Sequence, residues 1–160
     1  MKNASVKDDV VLNEKLIYLI EPVADEYSRR TGGKLLVTDG HRTPLMQASA
    51  MYDNEKHNRG VTYSKVALYK EIKQAFDAGF NRENYPAEKT IADMVKVIDE
   101  QIFRGQFISQ HLIGRAADFS KRSPDNNPVP VDEKVLGDIC RELGHFFMAE
   151  VHCYHCTFSA

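Results

Sequence analysis

Tryptophan is absent from the 160 residues, and cysteine occurs only three times, as Cys140, Cys153 and Cys156. So small and odd a number excludes a framework of disulfides. No apolar stretch reaches the roughly 18 residues that would cross a bilayer. The opening residues, Met1 to Lys15, lack the apolar core of an export signal. The expectation is therefore a chain made in the cytosol, without a membrane partner and without a cleaved leader. Neither sign of charge dominates: 21 basic residues stand against 23 acidic ones, for a net charge of -2. That balance removes the usual electrostatic basis for binding nucleic acid or an anionic membrane. Internal repeats and low-complexity tracts are also missing.

What is present suits one ordinary domain spanning residues 1–160. Hydrophobic residues make up 42% of the chain, enough for a single core. Leu16, Ile20, Val23 and Tyr27 recur at three- and four-residue steps and predict a helix over Leu12 to Arg30, with Asn13 as cap and a kink or restart at Pro22. Lys34 to Thr38 reads as a buried strand after the Gly32-Gly33 stop. A short helix follows over Leu45 to Tyr52, then a loop from Asn54 to Thr62. Further helices are expected over Ser64 to Ala78, stopped by Gly79, over Ala87 to Phe103, and over Val131 to Leu143. Short strands are expected at Phe107-Ile108 and at Ala116 to Ser120, and the chain from His145 to Phe158 reads as one strand or as two with a bend between them. Helices and strands do not alternate as regular βαβ units, so the class is α+β.

Chemistry concentrates in three places. The first is His111 and Asp118, seven apart with Gly114 between them. Imidazole and carboxylate both suit a borderline metal such as zinc, provided they converge. Gly114 supplies a turn between the two segments, and Ala116 and Ala117 are small enough for close backbone packing beneath a metal. The second is Arg42, in the Asp39-Gly40-His41-Arg42-Thr43 turn between a predicted strand and a predicted helix. A guanidinium there can grip a carboxylate or a developing oxyanion through two parallel hydrogen bonds. The third is Glu150-Val151-His152-Cys153-Tyr154-His155-Cys156, where two histidines and a glutamate crowd one terminal segment.

The string Ser109-Gln110-His111-Leu112-Ile113-Gly114-Arg115-Ala116-Ala117-Asp118 resembles the Ser-x-His-x-x-Gly-x-Ala-x-Asp signature of a zinc peptidase family. That family includes D-alanyl-D-alanine carboxypeptidases, D-Ala-D-Ala dipeptidases, several phage endolysins and the amino-terminal domain of hedgehog proteins. All five fixed positions match: Ser109, His111, Gly114, Ala116 and Asp118. The resemblance extends to Gly40-His41-Arg42-Thr43 with Gln47 downstream, and to the late histidines. It implies the hedgehog/DD-peptidase-like α+β fold, a small antiparallel sheet with several helices. It further implies Zn2+ held by His111, Asp118 and a late histidine. Arg42, with Gln47 and Ser109, would serve the substrate, a peptidoglycan stem or D-Ala-D-Ala-type peptide. A leaderless lysin released through a holin fits that picture.

The third ligand is expected at His155, because Cys-Thr-Phe after it resembles the strand following the family's last ligand. His152 remains open as a competing register. The base is expected at Glu150 or His152. Many relatives carry histidine two before the last ligand, where this chain has Cys153; others carry glutamate three before it, where this chain has His152. Counted along one regular strand, Glu150 and His152 fall on the face opposite His155, so a bulge or bend is required. Three rival readings stay beside this one: Cys153 and Cys156 as a structural zinc pair or nucleic-acid module, the same two as plain buried strand residues, and a non-catalytic zinc protein on the same fold.

Overall fold

The structure is a computed structural model that describes residues 1–159. Among them are five α-helices and a five-stranded mixed sheet, so the class is α+β. The elements are β1 (Ala4–Val6), α1 (Glu14–Thr31), β2 (Leu35–Asp39), α2 (Pro44–Lys56), α3 (Val66–Phe80), α4 (Ala87–Phe103), β3 (Ala116–Ser120), α5 (Glu133–Glu142), β4 (Phe146–Ala149) and β5 (Cys153–Thr157). A 3-10 turn, Gln110–Ile113, precedes β3. The chain divides into two compact units: Met1–His41 with Ile113–Ala160, and Arg42–Leu112.

In the first unit the sheet order is β1-β2-β3-β5-β4. The expected small antiparallel sheet is corrected here to a mixed one, because β1 runs parallel to β2; the other pairings are antiparallel. β1 was not foreseen, since three residues carry too short a pattern to read. The core packs against one sheet face. Ala117, Phe119, Tyr154, Cys156 and Phe158 lie in it with Leu16, Ile20, Val23 and Tyr27 of α1 and with Leu136, Ile139 and Cys140 of α5. Each large apolar side chain buried in this way contributes about 1.5–3 kcal/mol. Asn13 caps α1 by accepting from the Leu16 amide at 2.8 Å. The helix runs unbroken through Pro22 and ends at Gly32 in the left-handed conformation.

The second unit holds α2, α3 and α4, with their own core of Met51, Leu68, Ile72, Phe76, Met94 and Ile98. Thr43 caps α2 by accepting from the Met46 amide, and Pro44 sits at its first turn, a position where its missing N–H costs nothing. Three expectations change here. α2 continues to Lys56, so the anticipated loop starts later, and Phe107-Ile108 is not a strand. Gly79 does not stop α3, which runs on to Phe80. Its role is contact: a Cβ there would meet the Thr90 Oγ1 of α4 at 2.3 Å.

Candidate metal centre

His111 lies in the 3-10 turn ahead of β3, Asp118 in the middle of β3 and His155 in the middle of β5. β3 and β5 pair so that Asp118 and His155 are direct partners. One ligand atom from each of His111, Asp118 and His155 lies within 4.8 Å of the other two. His111 and Asp118 are buried and His155 nearly so. The His155 ring is fixed at both nitrogens: Nδ1 is 2.8 Å from Asp118 Oδ1, and Nε2 is 2.9 Å from Thr157 Oγ1.

The local chain path explains the convergence. Gly114 has a φ of 62° and turns the chain from the 3-10 segment into β3; a Cβ there would also meet the Asn13 amide at 2.6 Å. Ser109 accepts from the His111 amide through its Oγ at 3.3 Å. Ser109 thus braces the turn that presents His111. Asp39, at the end of β2, is the register partner of Asp118. The register shifts at this end of β2, and Asp39 Oδ1 accepts from the Gly40 amide at 2.8 Å.

Pairing defines what else shares this sheet face. Three rows run across β3, β5 and β4. Ala116 pairs with Thr157, and Thr157 with Phe146; Asp118 pairs with His155, and His155 with Met148. In the third row Ser120 pairs with Cys153, and Glu150 donates its amide to the Cys153 carbonyl at 2.9 Å. Glu150 and Cys153 therefore close a tight hairpin whose two turn residues are Val151 and His152.

This hairpin corrects the parity argument. Counted along a single strand, Glu150 falls opposite His155. A two-residue turn reverses the chain, and Glu150 then stands across from Cys153, on the face that carries His155 and Asp118. The required bend is the turn itself, and no bulge is involved. Cys153 joins the two acids: its thiol donates to Glu150 Oε2 at 3.6 Å, and burial together with the Asp118 and Glu150 carboxylates pushes the thiol up. His152 is exposed in the turn and lies on neither strand. The cysteines are free, Cys140 and Cys156 buried in the core and Cys153 on the opposite sheet face. Cys153 and Cys156 therefore sit on opposite sides of β5 and do not converge on one ion.

Arg42 precedes the Thr43 cap of α2, and its amide donates to the His111 carbonyl at 3.0 Å. Its guanidinium donates through Nη1 to Gln47 Oε1 at 3.1 Å. Gln47 is fully buried, and its Nε2 has no hydrogen-bond partner. Gln47 thus braces Arg42 from below. The sequence pointed to His111, Asp118, His155, Arg42 and Glu150. It did not point to Thr157, Met148 or Phe146, whose place on this face follows only from strand register.

Comparison with family models, with curated proteins and with solved structures finds no match.

Proposed function

We propose that the chain is a zinc-dependent peptidase of the D-alanyl-D-alanine peptidase type, on a hedgehog/DD-peptidase-like fold, acting on amide bonds of peptidoglycan stem peptides. The observation that carries the reading is the convergence of His111, Asp118 and His155, with ligand atoms all within 4.8 Å, on the sheet face that also bears Glu150. The donor set fits zinc: two imidazoles and one carboxylate, a number that leaves a position open in tetrahedral coordination. When bound, zinc supplies Lewis-acid polarisation of a carbonyl and acidifies a water.

The chain's own groups do the rest. Glu150 takes the proton of the attacking water and passes it to the leaving amine, a role suited to a carboxylate at the solvent-facing end of the hairpin. Cys153, donating to the Glu150 Oε2, limits where that carboxylate points. Arg42 binds the substrate carbonyl or carboxylate through its planar fork and offsets negative charge as the tetrahedral species forms. Gln47 holds that fork in place, as its 3.1 Å bond to Nη1 indicates. Thr157 fixes the His155 ring orientation, as partners of ligating histidines commonly do. The place of Glu150 supports catalysis over a purely binding role on the same fold.

The experiment is elemental analysis of protein purified without chelator, beside hydrolysis of a stem pentapeptide. About one zinc per chain and release of a peptide fragment are expected, both abolished in His111→Ala and Asp118→Ala. Unchanged metal content in both variants refutes the assignment.

A further inference from the structure

The end of α2, the chain that follows it and α3 form a cavity of about 400 Å³. It lies wholly within the helical unit, Arg42–Leu112, and its size falls in the roughly 300–1,000 Å³ range of small-molecule sites. Its apolar lining is Phe76, only 4% exposed, with the Tyr69 ring and Val61. Its polar lining starts at Glu55 of α2, which meets two groups of α3. The Tyr69 phenol donates to Glu55 Oε1, and Lys73 Nζ is 3.8 Å from Glu55 Oε2. Lys73 also pairs with Asp77 and lies 5.3 Å from the centre of the Phe76 ring. Burial, together with the Glu55 carboxylate, pushes the Tyr69 phenol up to about 12, so it stays protonated and keeps donating. Past α2, Asn58 and Gly60 adopt left-handed backbone, with φ of 50° and 65°, and both line the cavity beside Asn54.

The charges of this lining offset one another. Lys73 stands between two carboxylates, Glu55 and Asp77. An anionic ligand would meet Glu55 and a cationic one would meet Lys73, so neither sign is favoured. Hydrogen-bonding capacity is what remains. The Lys73 ammonium carries three donors, and Asp77 engages one. Glu55 Oε2, at 3.8 Å from that ammonium, lies beyond hydrogen-bond reach and stays open as an acceptor. Asn54 accepts from Arg59 through Oδ1 at 3.3 Å, which leaves its amide protons to donate. The Asn58 amide is bonded to no other described residue. Donors and acceptors therefore adjoin one another beside an apolar surface. A sugar ring has the same pattern: each hydroxyl both donates and accepts, and its C–H face is apolar.

We propose that this cavity binds a neutral saccharide, one pyranose ring whose hydroxyls meet Asn54, Glu55, Asn58 and Lys73 and whose C–H face lies on Tyr69 and Phe76. The site is independent of the peptidase reading, because binding here needs neither zinc nor hydrolysis. The Tyr69 bond to Glu55 holds the carboxylate in place before the ligand arrives, which lowers the ordering cost of binding.

The probes are glucose and N-acetylglucosamine, their trimers maltotriose and chitotriose, a glucose phosphate, and glycerol. Each is titrated into the chelator-stripped full chain, so failure of the metal centre leaves the result untouched. Amide chemical-shift mapping should show saturable shifts at Asn58, Gly60 and Val61 and in the side-chain amides of Asn54 and Asn58. A ring of this size should bind with a Kd of about 2 mM or below. Asn58→Gly keeps the left-handed backbone, and Asn54→Ala suits its helical position, so both variants should melt as wild type does. Each should weaken sugar binding roughly threefold to tenfold, the worth of one hydrogen bond. Trimers that bind more tightly than their monomers make a chain end the source of the ring, and equal affinity makes it the free sugar; both keep the proposal. No saturable shift with any sugar overturns it, as do shifts confined to other residues. Glycerol binding as well as the sugars, the phosphate binding better than glucose, or unchanged affinity in both variants overturns it too.

Discussion

Replacing His155 by alanine gives the sharpest test of the metal centre, because the metal-free and metal-loaded proteins respond differently. Without metal, His155 holds Asp118 Oδ1 at 2.8 Å and Thr157 Oγ1 at 2.9 Å. The Asp118 side chain is only 12% exposed. A hydrogen bond to a charged group contributes about 1.5–3 kcal/mol. At roughly 2–4 °C per kcal/mol for a chain of this size, the metal-free variant should melt about 3–12 °C lower. With metal, a second effect enters. Zinc at a thousandfold excess over its Kd stabilises the native state by about 4 kcal/mol, or roughly 8–16 °C. His155→Ala leaves two of three ligands, so this zinc-dependent rise should vanish. His152 is exposed in the hairpin turn, and His152→Ala should leave both the metal-free melting point and the zinc-dependent rise as in wild type. The assay is calorimetric melting of chelator-stripped proteins, with and without zinc chloride. A rise that survives in His155→Ala and disappears in His152→Ala establishes the competing register. No rise in wild type refutes the metal centre.

Other outcomes follow from single residues. Glu150→Gln should keep zinc and lose hydrolysis by a factor on the order of 10² to 10⁴, whereas His152→Ala should change neither; activity retained in Glu150→Gln removes it as the base. Arg42→Lys keeps the charge without the fork and should lower kcat/KM at constant zinc content. Gln47→Met, which removes only the brace at 3.1 Å, should lower it less, by roughly tenfold to a hundredfold; full activity in both variants removes Arg42 from substrate binding. Gly79→Ala puts a Cβ 2.3 Å from Thr90 Oγ1 and 2.9 Å from Thr90 Cβ, so side-chain rotation alone gives no relief. It should destabilise by about 1–3 kcal/mol in urea unfolding, and equal stability argues against close α3–α4 contact there.

Local pattern was enough for several elements and for part of the site. The stripe of Leu16, Ile20, Val23 and Tyr27 with Asn13 ahead of it defines α1, since helical period and capping are properties of neighbours in sequence. The α4 helix and β3 strand match their predicted bounds, Ala87–Phe103 and Ala116–Ser120, because each lies between a clear start and a glycine or polar stop. His111 and Asp118 are likewise seven residues apart with a glycine turn between them, so their convergence is a short-range matter. Gly79 shows where this logic fails: glycine reads as a helix stop, yet here its missing Cβ answers to Thr90 on another helix. The parallel β1–β2 pairing was equally invisible in a three-residue strand. The terminal segment needed the tertiary structure most. Along the sequence Glu150 and His155 have opposite parity. The reversal at Val151-His152 restores them to one face, and strand pairing alone sets Met148 and Phe146 beside the ligands. Sequence determined which donors this protein has, because side-chain chemistry is carried by residue type. Register and turn geometry decided which of them meet, because those depend on pairing between segments far apart in the chain.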